Sequence, residues 1–358
     1  MTFNNVMLTV ARESAGLTQV ALASAIGMSQ ANYSQIENGF KVPPDDKIRL
    51  LANELEVPAE FFDQPDHVVA EGLVDFFHRR RRTLPAKPLQ RAHAFANVVR
   101  MELSRLFGAV ELADLRGWPM LDGYEPEDAA RALRAAWRVA PGPAPSLVEL
   151  IEGTGSPVVR CDLFHEKISA MTMPHRGGRH VILLNQRMSP SNLRFAIAHE
   201  MGHLVLHTGD TTTSIETEAD RFASEFLMPE RDIRHQLLHL RFQDLGALKH
   251  NWKVPLAALI HRAHDLALIS DRMNTTMNIQ LNKLPAGRKR EPGEFAYEEP
   301  TLIKDSINYL TEDLHYSLHD VAKLMVSLES TVKERYLGDE VRHLRIVGTN
   351  SHHSSQVL

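Results

Sequence analysis

The segment His199-Glu200-Met201-Gly202-His203 constrains the fold of this chain most, because its chemistry requires a helix. Histidines four residues apart share one helical face, so both imidazoles can bind a single ion. Glu200 lies about 100° round the helix from His199, where it flanks the ion and can act on bound water. Apolar neighbours indicate that this helix is buried, which argues against two surface histidines that are four residues apart by chance. These neighbours are Phe195, Ile197, Ala198, Leu204, Val205 and Leu206.

The pattern predicts a zinc site with nitrogen and oxygen ligands. Cys161 is the only cysteine among 358 residues, which excludes a cysteine-based site and a disulfide within the chain. A catalytic zinc takes three protein ligands and one water, whose pKa it lowers toward neutrality. Glu200 would take the proton of that water and later deliver it to a leaving amine, as in a metallopeptidase.

The third ligand must come from outside this pair. A metzincin-type histidine is excluded, because position 209, six residues after His203, is glycine. His207 lies on the same helical face, but two turns beyond His199, so it is a candidate ligand or substrate contact. We expect a second helix at about 217–227, which offers Glu216, Glu218 and Asp220.

Among these carboxylates, Glu218 is the better geometric candidate. It borders the apolar stripe expected to face the first helix, which consists of Ala219, Phe222, Ala223, Phe226 and Leu227. Asp220 or Glu225 is then expected to contact a ligand from outside the coordination sphere.

Helical patterns dominate the chain, and short strands occur only in its middle. Ser189 followed by proline starts the helix that carries the histidine pair. Strand patterns occur at 158–164 and 181–184, with a weaker candidate at 167–173. The predicted fold class is therefore mainly α with a small β-sheet (α+β).

Two stretches, RFAIAHEMGHLVLH (194–207) and ETEADRFASEFLMP (216–229), resemble the ImmA/IrrE family of zinc metallopeptidases, a zincin-type group. Weaker similarity extends this resemblance over roughly residues 125–270. By position, the resemblance implies His199, His203 and Glu218 as zinc ligands and Glu200 as catalytic base. It also implies a protein substrate, a repressor of the helix-turn-helix class.

Residues 6–39 resemble the lambda-repressor-like, or Xre-type, helix-turn-helix, on Arg12 and the patterns TQxxLAxxIGMSQ (18–30) and YSQIENG (33–39). The second helix of such a pair lies in the major groove, with its N-terminal residues at base edges. We expect that helix to begin at Ser29 and to contact bases through Gln30, Ala31, Asn32 and Gln35.

Other residues of this domain are assigned different roles. Gln19 is expected to contact a phosphate or to brace Gln30. Tyr33 and Ile36 are expected in the core, with Arg12 and Glu37 as a structural ion pair. Residues 317–332 repeat the pattern of 18–33 with one residue fewer between the predicted helix caps, and we interpret the second copy as a structural helix pair.

Charge argues against strong binding of DNA by the first domain alone. Residues 1–62 carry four cationic and seven acidic side chains, and the whole chain has a formal net charge of −5. Affinity for duplex DNA rises with the number of phosphates that Lys and Arg neutralise. Three explanations remain open: the domain binds DNA weakly as a dimer, Arg79–Arg82 contribute to DNA binding, or the domain binds protein instead. DNA binding is the favoured interpretation.

The predicted parts follow from these motifs: a helix-turn-helix domain at 1–65, a helical connector at 66–124, a zincin-like metallopeptidase domain at 125–270, a linker at 271–300, and a helical C-terminal region at 301–358 that ends in a polar tail. The chain shows neither a secretory signal nor a membrane-length apolar run, so we expect a cytoplasmic protein that does not bind membranes.

Two functions are consistent with this organisation. The first is a zinc endopeptidase coupled to a DNA-binding domain, which cleaves an Xre-type repressor or acts in transcriptional regulation of a stress or mobile-element response. The second is a transcription regulator or antitoxin-like protein that uses the zincin domain as a sensor and cleaves slowly or not at all. The complete set of His199, Glu200, His203 and Glu218 favours the enzyme.

Overall fold

Four helices form the N-terminal domain of the computed structural model, which describes residues 3–69, 85–112, 115–207, 214–284 and 291–338. They are α1 (Asn5–Ala15), α2 (Gln19–Ala25), α3 (Gln30–Glu37) and α4 (Asp45–Glu54), followed by a 3₁₀ turn at Ala59–Asp63. Side-chain caps begin α2 and α3: Thr18 Oγ1 accepts from the Ala21 N–H at 3.1 Å and Ser29 Oγ from the Asn32 N–H at 3.3 Å. Gly27, with φ of 62°, turns the chain between α2 and α3, which confirms the helix-turn-helix.

A long helix, α5 (Ala86–Ala109), joins this domain to the rest of the protein. Val98 and Met101 on one side of α5 are part of the same buried cluster as the core of α1–α4. Val99 and Leu103 belong instead to the cluster that covers the central sheet. One helix therefore contributes to two cores and fixes the helix-turn-helix domain against the sheet. The basic cluster Arg79–Arg82 lies outside the described residues.

The sheet has three strands, β1 (Val158–Cys161), β2 (Ala170–Pro174) and β3 (His180–Asn185), in the order β1-β3-β2. β3 pairs in parallel with β1 and antiparallel with β2, which leaves β2 at an edge. Alternate residues of β3 enter different clusters, Ile182 and Leu184 on one face and Val181 and Leu183 on the other. Burial on both faces explains the continuous apolar run of this strand.

Helices that precede and follow the sheet form one buried cluster with the residues on one of its faces. These are α6 (Pro126–Ala136), α7 (Leu147–Glu152), α8 (Pro190–Leu206), α9 (Ile215–Leu227), α10 (Glu230–Leu237), α11 (Leu245–Trp252), α12 (Leu256–Asp265) and α13 (Asp271–Asn282). α8 and α9 are in close contact at Gly202, where an added Cβ would lie 3.1 Å from Ala219 Cα and from the Phe222 ring. The small residue therefore lets the two helices approach closely.

The other face of the sheet is covered by α5 and by the C-terminal helices α14 (Leu302–Asn308), α15 (Leu318–Met325) and α16 (Glu329–Val332), with π-helical turns at Tyr309–Asp313 and Lys333–Leu337. Val321, Met325 and Val332 of the repeated helix pair are buried in this cluster. The second copy therefore packs as a structural pair. None of the described helices is long and apolar enough to cross a membrane.

A buried carboxylate ties these last helices to α5. Glu102 of α5 accepts hydrogen bonds from Ser327 Oγ at 2.8 Å, and from Arg335 Nη1 and Tyr336 Oη at 2.5 Å each. Because the carboxylate is buried, these donors replace the water that it would otherwise bind. The polar tail predicted at the C-terminus lies outside the described residues.

The sequence predicts a linker at 271–300, but residues 291–299 form a strap that is fixed to the rest of the protein. Glutamates of the strap accept hydrogen bonds from the first N–H groups of three helices. Glu291 accepts from the first residue of α12 at 2.8 Å, Glu294 from the second residue of α8 at 3.1 Å, and Glu298 from the first residue of α7 at 2.7 Å. Such N–H groups lack partners inside their helix and favour anions. The strap therefore fixes the start of α8.

The fully buried Lys249 balances two of these carboxylates. Its Nζ lies 2.9 Å from Glu291 Oε2 and 2.6 Å from Glu294 Oε1. A charge in the interior is tolerated when it is paired and hydrogen-bonded, and removal of one partner leaves the other uncompensated.

We therefore predict that Lys249→Met lowers the free energy of unfolding by about 3–5 kcal/mol, because Glu291 and Glu294 then lose their cation. Urea denaturation followed by tryptophan fluorescence measures this loss, since Trp252 ends the same helix. Lys304→Met removes an exposed lysine and should change stability by no more than about 0.5 kcal/mol. Equal stabilities of the two variants would contradict the structural role of the strap.

Candidate metal centre

The two histidines of the H-E-x-x-H segment lie together on the side of α8 that faces α9. Their Nε2 atoms are 3.0 Å apart and their ring centroids 4.6 Å apart. Ile197, Ala198 and Met201 are buried in the core, which fixes the rotation of α8 about its axis. The i, i+4 spacing and this rotation together point both imidazoles at one place, as the sequence predicts.

Glu216 of α9 completes the group. Its Oε2 lies 3.6 Å from His199 Nε2 and its Oε1 3.6 Å from His203 Nε2. Ligand atoms at zinc bond lengths in a tetrahedron lie about 3.3–3.5 Å apart, which is close to these separations. Within the described residues, Glu216 Oε1 is buried without a hydrogen-bond partner. His199, His203 and Glu216 are therefore a possible metal site, with a donor set that suits zinc.

This geometry differs from the prediction that Glu218 is the third ligand. Two residues apart on a helix, the side chains of Glu216 and Glu218 diverge by about 200°, so only one can face the histidine pair. Glu218 Oε2 lies instead 2.9 Å from His207 Nε2, and Ser214 Oγ donates to the other oxygen. The apolar stripe of α9 has a carboxylate at each edge, and the sequence pattern does not show which edge faces α8.

Asp220 lies outside this group and contacts His199. Its Oδ1 lies 2.8 Å from His199 Nδ1, which leaves the Nε2 of His199 for the metal. Burial lowers the pKa of His199, but hydrogen bonds to Asp220 and Glu216 outweigh it and raise the pKa to about 9. Binding of a metal at Nε2 would therefore compete with protonation of this imidazole. Glu225 lies elsewhere, paired with Arg131 and Arg262.

His203 is oriented by a chain of three further side chains. His207 Nδ1 lies 3.0 Å from His203 Nδ1, and His207 in turn contacts Glu218. Hydrogen bonds from Ser214 and His207 lower the pKa of Glu218 and hold it as an anion. The negative charge of Glu218 favours a proton on His207 Nε2. His207 Nδ1 then accepts a hydrogen bond from His203 Nδ1, which leaves His203 Nε2 for the metal.

Glu200 lies beside the three ligand residues and is held by a strand residue that the sequence analysis did not identify. Thr172 of β2 donates from Oγ1 to Glu200 Oε2 at 2.7 Å, and both residues are buried. The only signal for Thr172 was a weak strand pattern. Its hydroxyl binds one carboxylate oxygen, so the carboxylate has a fixed orientation.

A cavity of about 940 Å³ opens at this site. His199, Glu200 and Glu216 line it together with Ser169 and Ala170, at the start of the edge strand β2. Apolar residues form much of the remaining wall: Met188, Phe195, Ala196, Pro255, Ala257 and Ala258. The cavity is large enough for several residues of a peptide, with the ligand residues in its wall.

In the helix-turn-helix domain, the side chains expected to contact DNA lie on one exposed surface. Ser29, Gln30, Ala31, Asn32 and Gln35 are exposed, whereas Tyr33 and Ile36 are buried as predicted. Asn32 Oδ1 accepts from Lys41 Nζ at 3.2 Å.

Gln19 connects this surface to the predicted ion pair. Gln30 Nε2 donates to Gln19 Oε1 at 3.2 Å, and Gln19 Nε2 donates to Glu37 Oε2 at 2.5 Å. The other oxygen of Glu37 accepts from Arg12 Nε at 2.7 Å, so Arg12 and Glu37 form the expected pair. Gln19 therefore braces Gln30, one of the two roles expected for it.

Comparison with known protein families agrees with both parts of this description. The IrrE N-terminal-like domain, a peptidase family, matches residues 151–264, and a helix-turn-helix family matches residues 10–62. A search of curated proteins gives no match. The chain thus carries a metallopeptidase-like domain behind a DNA-binding domain. More narrowly, it combines an IrrE N-terminal-like domain with an Xre-type helix-turn-helix.

Glu216 and Glu218 allow a matched test of the ligand set. We predict that Glu216→Gln weakens zinc binding by more than about 100-fold, because a charged ligand is lost. Glu218→Gln should weaken it by about 10–100-fold, because only the support of His203 through His207 is lost. Competition with a chromophoric chelator measures both affinities. The reverse order would show that Glu218 coordinates the metal.

Proposed function

We propose that the protein is a zinc endopeptidase whose helix-turn-helix domain binds DNA. The observation that carries this proposal is the convergence of His199, His203 and Glu216, with Glu200 beside them and a peptide-sized cavity in front. Zinc at such a site supplies a Lewis acid that activates water and polarises a carbonyl group. A metal site of purely structural type would not need the carboxylate or the cavity.

In this mechanism Glu200 acts as the general base and then as the general acid. Its carboxylate takes a proton from the attacking water and passes it to the nitrogen of the leaving amine. The hydrogen bond from Thr172 to Oε2 orients this carboxylate for the proton transfer. Because Glu200 is buried, little bulk water competes for that proton.

The substrate is a protein segment in extended conformation. β2 has one strand neighbour, β3, among the described strands, and the residues at its start line the cavity. A peptide can add to such an edge through main-chain hydrogen bonds, while the apolar wall accepts its side chains. The family resemblance favours a repressor of the helix-turn-helix class as the natural substrate.

The test of the peptidase uses a proteome-derived peptide library read by mass spectrometry. Glu200→Gln should retain one zinc per chain and lose cleavage by about 100-fold or more, because general base catalysis is removed. Thr172→Val should retain the metal and cleave more slowly than Thr172→Ser, which keeps a hydroxyl. Equal cleavage by the parent and by Glu200→Gln would rule out this mechanism.

The alternative function, a regulator that senses metal and cleaves little, rests on the rigid connection through α5. Val98 and Met101 of that helix are in the core of the DNA-binding domain, and Val99 and Leu103 are in the core of the sheet that carries Thr172. If a Glu200→Gln strain regulates its target genes like the parent strain, the sensor function is favoured over the enzyme.

For the DNA-binding domain we predict that Gln30→Ala relaxes sequence discrimination by about 1–3 kcal/mol at one base pair, because the residue starts the recognition helix. Selection from a random duplex pool followed by competition binding measures this. Gln280→Ala changes an exposed glutamine far from the domain in sequence and should bind like the parent. If Gln30→Ala leaves sequence discrimination unchanged, α3 is not the helix that contacts the bases.

A further inference from the structure

A cleft of about 550 Å³ separates the DNA-binding domain from the start of α5. Thr18, Gln19 and Gln30 line it on one side, and Lys87, Arg91 and Phe164 on the other. The cleft therefore begins at the recognition surface and ends on a helix that lies outside the helix-turn-helix domain in sequence.

The cleft lies where a helix-turn-helix domain would place the backbone of bound DNA. In a helix-turn-helix, the second helix enters the major groove while the first crosses the sugar-phosphate strand. Here the first helix of the pair is α2, and its N-terminal residues Thr18 and Gln19 form a wall of the cleft. A strand that passes the start of α2 therefore lies at the mouth of the cleft, opposite the first turn of α5.

The charge of the cleft is opposite to that of the domain beside it. Among the described residues that line it, Arg12, Lys87 and Arg91 are cationic and Glu13 is acidic. Arg12 is already paired with Glu37, so the positive charge of the cleft comes from Lys87 and Arg91. The Glu13 carboxylate already accepts from Arg12 at 3.3 Å and from Gln90 at 2.8 Å. Residues 1–62 alone have a net charge of −3, so the start of α5 adds the positive charge that the domain lacks.

Arg91 holds the far wall of the cleft in place. Its Nε donates to Ser14 O at 3.1 Å, and its guanidinium carbon lies 3.8 Å from the centre of the Phe164 ring. Gly16 makes room for it, since a Cβ at this glycine would lie 2.9 Å from Arg91 Nε. Lys87, by contrast, is exposed in the first turn of α5, where the helix dipole also favours an anion.

We propose that this cleft binds the phosphate backbone of duplex DNA and that Lys87 contacts a phosphate directly. The proposal rests on the DNA-binding part of the proposed function and adds a contact that the helix-turn-helix alone does not contain. Arg91 holds the first turns of α5 against the end of α1 through Ser14. The contact neutralises backbone charge and reads no base, so it raises affinity for all sequences alike.

The test is a salt titration of the full-length protein on a random-sequence duplex of about 20 base pairs, read by fluorescence anisotropy. Each phosphate contact contributes about −0.9 to the slope of log affinity against log salt concentration. Lys87→Ala should reduce the steepness of that slope by about one contact and weaken binding at low salt. Lys87→Arg should keep the slope of the parent, and so should Lys304→Ala, which removes an exposed lysine elsewhere.

The outcomes separate this proposal from the function on which it rests. If the parent binds the duplex and Lys87→Ala keeps the same slope, the cleft is not a phosphate site although the domain binds DNA. If the parent binds no duplex at any salt concentration, the DNA-binding function fails and this inference fails with it. Binding of a polyglutamate peptide that depends on Lys87, with no duplex binding, would assign the cleft to an acidic protein partner.

Discussion

The close approach of α8 and α9 at Gly202 is the constraint on which the metal centre depends. A larger residue at this position would meet the main chain of Ala219 and push the helices apart. The carboxylate of Glu216 would then move away from His199 and His203, and no other side chain in the group replaces it. The spacing of the histidines brings two residues of the possible metal site together, and the contact between helices adds Glu216.

The sequence predicted much of this fold and part of its site, for identifiable physical reasons. A four-residue spacing within one helix fixes His199 against His203, so that half of the site follows from local geometry. The choice between Glu216 and Glu218 depends on how α9 is rotated against α8, and a stripe with carboxylates at both edges does not determine that rotation. Local patterns therefore specify each helix, whereas the contact between helices selects the ligand.

The strap at 291–299 shows the same difference between local pattern and tertiary contact. Proline, glycine and charged residues in this stretch are typical of a flexible linker. Glu291, Glu294 and Glu298 nevertheless accept hydrogen bonds from helix starts that are distant in the sequence, and Lys249 balances two of them. A charged residue on a surface and one in a buried pair look alike in a sequence, because the partner determines the difference.

The strap also extends the support of the possible metal site beyond the segment that matches the family. The family match ends at residue 264, yet Ser191 at the start of α8 is held by Glu294, and the buried Lys249 has its partners at 291 and 294. A chain that ends at residue 264 therefore contains His199, His203 and Glu216 but lacks the carboxylates that contact the start of the helix carrying the two histidines. The segment that matches the family is thus shorter than the segment that supports this possible metal site.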